Sequence, residues 1–274
     1  MRRYPANLSG TSHRSGIQIW GKIMFYGVPP EKMQEFRRAL DTLAAVYPGK
    51  VYANDMLITI GRNLSFRSDE RFMDSYRSSA QSDQEQSLLW RLHVLTWAAR
   101  NALCVEGDFA ECGVLKGFSS EVICKYLGFQ DLSRTYYLYD TFSGLPEQTS
   151  TETERKKWQS YKDIDSEALY REVCERFSVY GNVQVVRGIV PDSFQELVPE
   201  KIAFLHIDMN SERAEMLALE HLFDRVVPGG MIVLDDYGWT SHVNQTRAEL
   251  AFMREREHAI LELPTGQGLI LKHA

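Results

Sequence analysis

From Gly107 onward, short apolar runs alternate with amphipathic segments, and this alternation constrains the fold more than any other feature of the sequence. The apolar runs predict five strands, at 108–112, 136–140, 183–187, 203–208 and 231–235. The amphipathic segments predict five helices, at 119–127, 166–177, 191–197, 211–223 and 245–257. Strands separated by helical segments of about ten or more residues pair in parallel through right-handed crossovers. The sequence therefore predicts an open, mostly parallel α/β sheet.

The C-terminal residues follow a different pattern. Two apolar runs, at 259–263 and 269–272, flank the loop Pro264-Thr-Gly-Gln-Gly268. Two strands joined by a short loop rich in proline and glycine predict an antiparallel hairpin.

The first part of the chain gives a mixed signal, in which two helices are predicted. Apolar residues at steps of three and four predict one helix over 31–47 and a second over 83–103, with Ser82 as the cap of the second helix. We therefore predict an N-terminal helical or lid region at 1–82 and an α/β domain at 83–274.

Composition excludes several classes of function. The chain has 274 residues, with 31 Lys and Arg against 37 Asp and Glu and a net charge of −6, so a basic nucleic-acid footprint is not expected. No apolar run reaches the roughly 18 residues that a membrane span needs, and the first residues lack a signal-peptide pattern, so we expect a cytoplasmic protein. Four cysteines without a Cys-x-x-Cys pair indicate neither a zinc ribbon nor a disulfide scaffold.

In an open parallel sheet the ligand lies at the carboxyl ends of the strands, and the first such end is rich in glycine. Here Glu111-Cys-Gly113 ends a strand, and a predicted helix begins after Gly117. Glycine allows the backbone to approach a ligand closely, and a new helix presents free N–H groups to a carboxylate or phosphate. The G-x-x-x-G spacing differs from the dinucleotide pattern G-x-G-x-x-G, which disfavours pyrophosphate binding. The alternative is a tight strand–helix turn in which the glycines serve packing.

Acidic residues end three further strands. Asp140 ends the second strand, where a carboxylate can accept hydrogen bonds from both hydroxyls of a ribose; an exposed loop acid is the alternative. Asp208, Asp235 and Asp236 come directly off two hydrophobic strands, and three converging carboxylates repel one another unless a cation lies between them. Oxygen ligands suit Mg²⁺ or another hard divalent cation. Alternatively, Asp208 caps the helix at Ser211, and Asp235 and Asp236 cap the turn that follows them.

Four segments carry a family resemblance. In chain order they are Gly-Asp-Phe-Ala-Glu-Cys-Gly-Val (107–114), Tyr-Asp-Thr-Phe-Ser-Gly-Leu-Pro (139–146), Ile-Asp-Met-Asn (207–210) and Pro-Gly-Gly-Met-Ile-Val-Leu-Asp-Asp-Tyr (228–237). Together they resemble the TylF/NovP/MycF family of class I S-adenosylmethionine (SAM)-dependent O-methyltransferases, which includes macrocin and other antibiotic-sugar methyltransferases. The resemblance covers about residues 83–272 and implies a Rossmann-like sheet, a small-molecule hydroxyl acceptor, SAM and Mg²⁺ as cofactors, and a homo-oligomer, most simply a dimer.

The resemblance also implies roles for particular residues. The expected cofactor contacts are Glu111, Gly113 and Gly117 along the methionine part, Ser119 or Ser120 near its carboxylate, Asp140 at the ribose, and Ser143. Asp208, Asp235 and Asp236 match the family's Mg²⁺ positions, and Asp208 also matches the carboxylate proposed as general base. Where the family usually has Asp-Gly-Asp-Leu-Tyr, this chain has Asp208-Met-Asn210-Ser-Glu212, so a tyrosine and a second acid are missing near the acceptor.

Methyl transfer needs a positioned acceptor whose oxygen loses its proton, and we expect Asp208 to take that proton. His242 is the competing base, with a solvated loop histidine as its alternative. Strand alternation is expected to turn His206 away from Asp208. Tyr237 and Trp239 are expected either to form a stacking wall for the acceptor or to pack in the core.

Two other functions compete with methyl transfer. One is a nucleotide-dependent oxidoreductase, which shares the ribose-binding acid but normally carries G-x-G-x-x-G. The other is a non-catalytic SAM-binding or regulatory protein, with which the departures at Asn210 and Glu212 are compatible.

Overall fold

The computed structural model describes residues 17–18, 25, 28–160 and 165–274. This part of the chain forms two compact units. One contains the described residues up to Glu70 together with Ala80–Trp90, and the other contains Arg71–Ser79 and Arg91–Ala274. The domain boundary at residues 82 and 83 stays a prediction.

The larger unit contains a seven-stranded sheet. Its strands are β4 (Asp108–Cys112), β5 (Tyr136–Asp140), β6 (Val183–Arg187), β7 (Ile202–Ile207), β8 (Val226–Leu234), β9 (Leu261–Glu262) and β10 (Gly268–Leu271). The spatial order is β6-β5-β4-β7-β8-β10-β9; β10 pairs antiparallel with β8 and β9, and the other neighbours are parallel. The Rossmann-like fold class and its C-terminal antiparallel hairpin are confirmed.

The α-helices that lie wholly or mostly in this unit number seven among the described residues. They are α2 (Glu70–Ser79), α3 (Leu89–Ala102), α4 (Phe118–Leu127), α5 (Glu152–Lys157), α6 (Ser166–Phe177), α7 (Glu212–Leu222) and α8 (Val243–Glu255). β7 is buried at every position, because strands pair with it on both sides within the sheet and apolar side chains cover its faces. No helix in the described ranges has both the length and the apolar character needed to cross a bilayer.

Two predicted helices differ from the structure. The segment predicted as a helix at 191–197 forms only a short 3₁₀ helix, Asp192–Gln195. The helix predicted from residue 83 begins at Leu89, after a 3₁₀ helix at Glu85–Ser87. Ser82 accepts the Glu85 N–H at 3.2 Å, so it caps this short 3₁₀ turn instead of α3.

The smaller unit contains α1 (Met33–Val46) and a sheet of three short strands, β1 (Ile17–Gln18), β2 (Val51–Asn54) and β3 (Leu57–Ile60). The N-terminal helix was predicted, but the sheet was not. β2 and β3 are joined by Asp55 and Met56, which both have positive φ angles, 47° and 60°. A two-residue hairpin turn often has aspartate at the first of these positions but usually has glycine at the second, so Asp55-Met56 carries only part of the usual turn signal.

Candidate active site

The carboxyl ends of β4, β7 and β8 meet at one edge of the sheet. The Asp208 N–H donates to the Cys112 carbonyl at 2.8 Å, and the Asp235 N–H donates to the Ile207 carbonyl at 2.9 Å. These two bonds continue the parallel ladder past the last residue of each strand. Gly113, Asp208 and Asp235 are thereby fixed as neighbours.

Gly113 permits an unusually close approach between β4 and β7. Its φ angle is +93°, and a Cβ at this position would lie 1.8 Å from the Asp208 carbonyl oxygen. Only glycine fits a left-handed conformation at this spacing. The glycine therefore sets the position of the Asp208 backbone, whatever its contact with a cofactor.

Carboxylates gather at this edge, as the sequence predicts. Asp208, Asp235 and His206 each have one potential metal-ligand atom, and these atoms all lie within 4.8 Å of one another. Burial, followed by repulsion from Asp235 and Asp236, raises the pKa of Asp208 well above its usual value. The structure thus brings Asp208 and Asp235 together with His206, whereas Asp236 is not part of this compact group and is linked to it through its charge and through Arg91. The role of the three acids as metal ligands stays a prediction.

His206 lies inside this cluster, so the expectation that it faces away from Asp208 is wrong. It is fully buried, with Nδ1 at 3.3 Å from Glu111 Oε1 and Nε2 at 3.6 Å from Asp235 Oδ1. The physical reason is the period of a strand: positions 206 and 208 are two residues apart and share a face. Burial alone would lower the pKa of His206, but the Glu111 and Asp235 carboxylates raise it to about 10.

Arg91 is a member of the site that sequence reasoning missed. Its Nη1 pairs with Asp235 Oδ2 and lies 3.9 Å from Asp236 Oδ1. Gln267 donates to the other oxygen of Asp235 at 2.9 Å. Although burial raises the pKa of Asp235, the ion pair with Arg91 and the bonds from His206 and Gln267 hold it below its usual value. Arg91 lies 144 positions before Asp235, and no local pattern links the two residues.

The glycine loop after β4 is held by Asp140. One oxygen of this carboxylate accepts the Val114 and Leu115 N–H groups at 2.7 and 2.8 Å, and the other accepts the Phe142 N–H at 2.6 Å. The loop ends at Gly117, where α4 begins. Asp140 therefore shapes the loop itself, and its contact with a ribose stays a prediction.

Glu111 and Ser120 lie beneath this loop. The Glu111 carboxylate is buried, and its Oε2 accepts hydrogen bonds from the Ser120 hydroxyl and, at 2.7 Å, from the Tyr136 hydroxyl. Ser119 is partly exposed and Ser143 is exposed. Glu111 and Ser120 are thus buried and hydrogen-bonded to each other within the protein. The direct cofactor contacts predicted for all four residues stay predictions.

A second acidic pair, Glu215 and Glu249, supports the turn after Asp208. Glu215 Oε1 accepts the N–H groups of Met209 and Asn210 at 2.9 and 3.1 Å, and Gln245 donates to Glu215 Oε2 at 2.8 Å. Burial raises the pKa of Glu249, which is adjacent to Glu215, to about 7.

Glu154 stabilises the N-terminus of α7, because its Oε1 accepts a hydrogen bond from the N–H of Glu212, the first residue of the helix, at 3.0 Å. The N-cap of α7 is Ser211, and the first N–H of the helix is accepted by Glu154, so Asp208 does not serve as the helix cap that the alternative interpretation expected. Asp208 is left with a carboxylate that faces the cluster, where Asn210 Nδ2 lies 3.4 Å from its Oδ1.

His242 lies at the rim of the cluster. Its Nε2 is 2.8 Å from Lys157 Nζ and 3.9 Å from Asp236 Oδ2, and its ring is parallel to that of Trp158. Burial and the neighbouring Lys157 ammonium lower the pKa of His242 to about 4. A neutral His242 that accepts a hydrogen bond from Lys157 has little capacity to take a further proton.

The two predicted wall residues have different environments. Tyr237 belongs to the buried core, which matches the packing alternative. Trp239 is partly exposed, and the Arg91 guanidinium lies 5.3 Å from its ring centroid.

Comparison with known proteins identifies the family. The sequence model of the family described as Macrocin-O-methyltransferase (TylF) matches residues 89–262, which is more than half of the chain. The chain belongs to the TylF macrocin O-methyltransferase family. The resemblance stated from the four sequence segments is thereby confirmed.

Two curated relatives are similar to the chain. Mycinamicin III 3''-O-methyltransferase of Micromonospora griseorubida is 30% identical over 158 residues, which cover 54% of this chain and 62% of that protein. The 8-demethyl-8-(2,3-dimethoxy-alpha-L-rhamnosyl)-tetracenomycin-C 4'-O-methyltransferase of Streptomyces olivaceus is 28% identical over 159 residues, which cover 54% and 60%. The match thus spans less than two thirds of either relative.

Solved structures support the fold. The O-methyltransferase NovP superposes with a TM-score of 0.58 at 18% identity, over 68% of this chain and 81% of NovP. The calicheamicin methyltransferase CalS11 superposes with a TM-score of 0.50 at 16% identity, over 78% of this chain and 98% of CalS11. At these identities the likeness concerns the fold.

Proposed function

We propose that this TylF-family protein is a SAM-dependent O-methyltransferase that methylates a hydroxyl of a small molecule, either a sugar or a glycosylated natural product. The observation that carries the proposal is the pair of carboxylates Asp208 and Asp235, which lie with His206 at the strand ends beside the glycine loop of β4, with the charge of Asp236 close enough to act on Asp208. Membership of the TylF family and the sugar-directed names of the two relatives support the acceptor class.

We further propose that SAM binds along the glycine loop. The loop is pre-shaped by Asp140, and α4 begins at its end, so backbone N–H groups are available to a carboxylate. Of the three serines predicted to contact the cofactor, Ser119 and Ser143 have exposed surface and are suited to contact it directly. Bound SAM supplies a methyl group on a positively charged sulfur.

The donor set suits a hard divalent cation. Burial, followed by repulsion from Asp235 and Asp236, raises the pKa of Asp208, and a cation would relieve the repulsion. Asp208, Asp235 and Asp236 would hold Mg²⁺. Such an ion would make an acceptor hydroxyl more acidic and would orient it.

Asp208 is our proposed general base. Its carboxylate faces the cluster at the end of β7, where it would accept the proton that the acceptor hydroxyl gives up as the oxygen–methyl bond forms. His242 is a weaker candidate, because Lys157 already donates to its Nε2 and its pKa is lowered to about 4.

We also propose that the protein acts as a homodimer in the cytoplasm.

Ligand-induced stabilisation distinguishes the proposed function from its two alternatives. S-adenosylhomocysteine at about 100 times its Kd should stabilise the fold by about 2.7 kcal/mol, because it binds only the native state. NAD should have no effect in the same thermal-shift assay. Radiolabelled SAM should then transfer its methyl group to glycosides with free sugar hydroxyls. Stabilisation by NAD alone would support the oxidoreductase, and binding without transfer to any such acceptor would support the regulatory protein.

Chelation tests the proposed metal. Excess EDTA should abolish methyl transfer, and added Mg²⁺ should restore it, because the carboxylate cluster needs a cation to orient and acidify the hydroxyl. Stabilisation by S-adenosylhomocysteine should be the same with and without EDTA, which serves as the control for an intact cofactor site. Full transfer activity in excess EDTA would remove the metal from the mechanism.

A further inference from the structure

The acidic cluster contains a cation of its own. The Arg91 guanidinium pairs with Asp235 and lies 3.9 Å from Asp236, and all three side chains are at least nine-tenths buried. Buried charges of this kind are retained only when they are paired and hydrogen-bonded. Arg91 therefore supplies positive charge at the place where the proposed metal would supply it.

The neighbours of Arg91 hold it in this position. Asp235 uses one oxygen for Arg91 and the other for Gln267, so the carboxylate is fixed against the guanidinium. On the other side, the Trp239 ring lies 5.3 Å from the guanidinium carbon, a favourable distance for a cation–π contact. The pair between Arg91 and Asp235 is thus a built part of the site.

We infer that Arg91 is a resident cation of the acidic cluster and that its charge lowers the affinity of the cluster for a divalent metal ion. The inference rests on the proposed function, since it takes Asp208, Asp235 and Asp236 as the metal-binding carboxylates. The carboxylates attract a metal ion through their negative charge, and Arg91 offsets part of that charge, alongside His206, whose Nε2 lies 3.6 Å from Asp235 Oδ1. A divalent cation that binds beside Arg91 is repelled by the guanidinium charge, and the ion also competes with Arg91 for the Asp235 carboxylate.

Removal of this charge should tighten metal binding. We expect Arg91→Gln to bind Mn²⁺ about tenfold or more tightly than the wild type, because the cluster gains one net negative charge next to the ion. The probe is Mn²⁺ alone, titrated against full-length protein and followed by the electron paramagnetic resonance of the free ion. Arg91→Lys, which keeps the charge, should bind Mn²⁺ nearly as the wild type does. The matched control is Arg247→Gln, which removes an exposed arginine of α8 and should leave the Kd unchanged.

Thermal stability gives an independent readout. In EDTA, Arg91→Gln should melt at a lower temperature than the wild type, because Asp235 and Asp236 lose the buried guanidinium that pairs with them. Saturating Mn²⁺ should remove most of this deficit, since the ion replaces the lost charge. If the variant folds only in Mn²⁺, that result also supports the inference. Failure to fold in either condition would overturn it, because the guanidinium would then have a role that a metal cannot replace.

The outcomes distinguish the inference about Arg91 from the proposal of a metal site. If the wild type binds Mn²⁺ and Arg91→Gln binds it no more tightly, the inference fails and the metal site stands. If only the variant binds Mn²⁺, the inference holds and the metal is removed from the wild-type mechanism. If neither binds, both fail. In every case the methyl-transfer function is decided separately, by S-adenosylhomocysteine binding and labelled methyl transfer.

Discussion

Replacement of Asp208 by Asn should lower kcat for methyl transfer by about 10³-fold, within the range that a positioned general base contributes. The asparagine keeps the shape of the side chain but cannot take a proton, and it removes one of the carboxylates proposed to hold the metal. The cofactor loop is held by Asp140 and not by the Asp208 side chain. Calorimetry should therefore find the affinity for S-adenosylhomocysteine nearly unchanged.

Two further variants make this result specific. Asp224→Asn changes an exposed carboxylate in the same unit and should leave kcat unchanged. His242→Asn removes the competing base, and a loss of activity smaller than that of Asp208→Asn would support Asp208 as the proton acceptor. If Asp208→Asn loses activity and cofactor affinity together, Asp208 has a structural role. If His242→Asn alone abolishes transfer, the assignment of the base is reversed.

The parallel sheet was predictable because its signal is local. β4, β5 and β6 have the bounds predicted from their apolar runs, and the acids at the strand ends were visible in the sequence. Parallel strands bring their carboxyl ends to one edge, so Asp208, Asp235 and Asp236 could be expected to meet without any knowledge of side-chain packing.

The rest of the site depends on contacts that no local pattern encodes. Arg91, on α3, pairs with Asp235. Glu215, on α7, accepts hydrogen bonds from the Met209 and Asn210 N–H groups of the turn after β7, and Glu249, on α8, is next to Glu215. A buried arginine on a largely apolar helix gives no indication of its partner until the helix is placed. His206 is a different case, because strand periodicity does determine its face: positions 206 and 208 are two residues apart and share a side.

Substitution of Gly113 by Ala should be the most damaging small change to the fold. The new Cβ would lie 1.8 Å from the Asp208 carbonyl oxygen, and alanine is strained at a φ of +93°. Overpacking costs about 1–3 kcal/mol, and a left-handed non-glycine residue costs about 1–3 kcal/mol. We expect the free energy of unfolding to fall by about 3 kcal/mol or more, measured by urea denaturation.

The matched control is Gly181→Ala, because a Cβ at Gly181 meets no atom within 4 Å and the residue has no left-handed φ. This variant should stay within about 0.5 kcal/mol of the wild type. Any Gly113→Ala protein that folds should also lose methyl transfer, since relief of the clash moves the Asp208 backbone away from β4 and shifts the proposed base with it. A folded variant with normal stability and normal kcat would mean that this edge of the sheet tolerates movement. In that case the close approach of β4 to β7 would not be what positions Asp208.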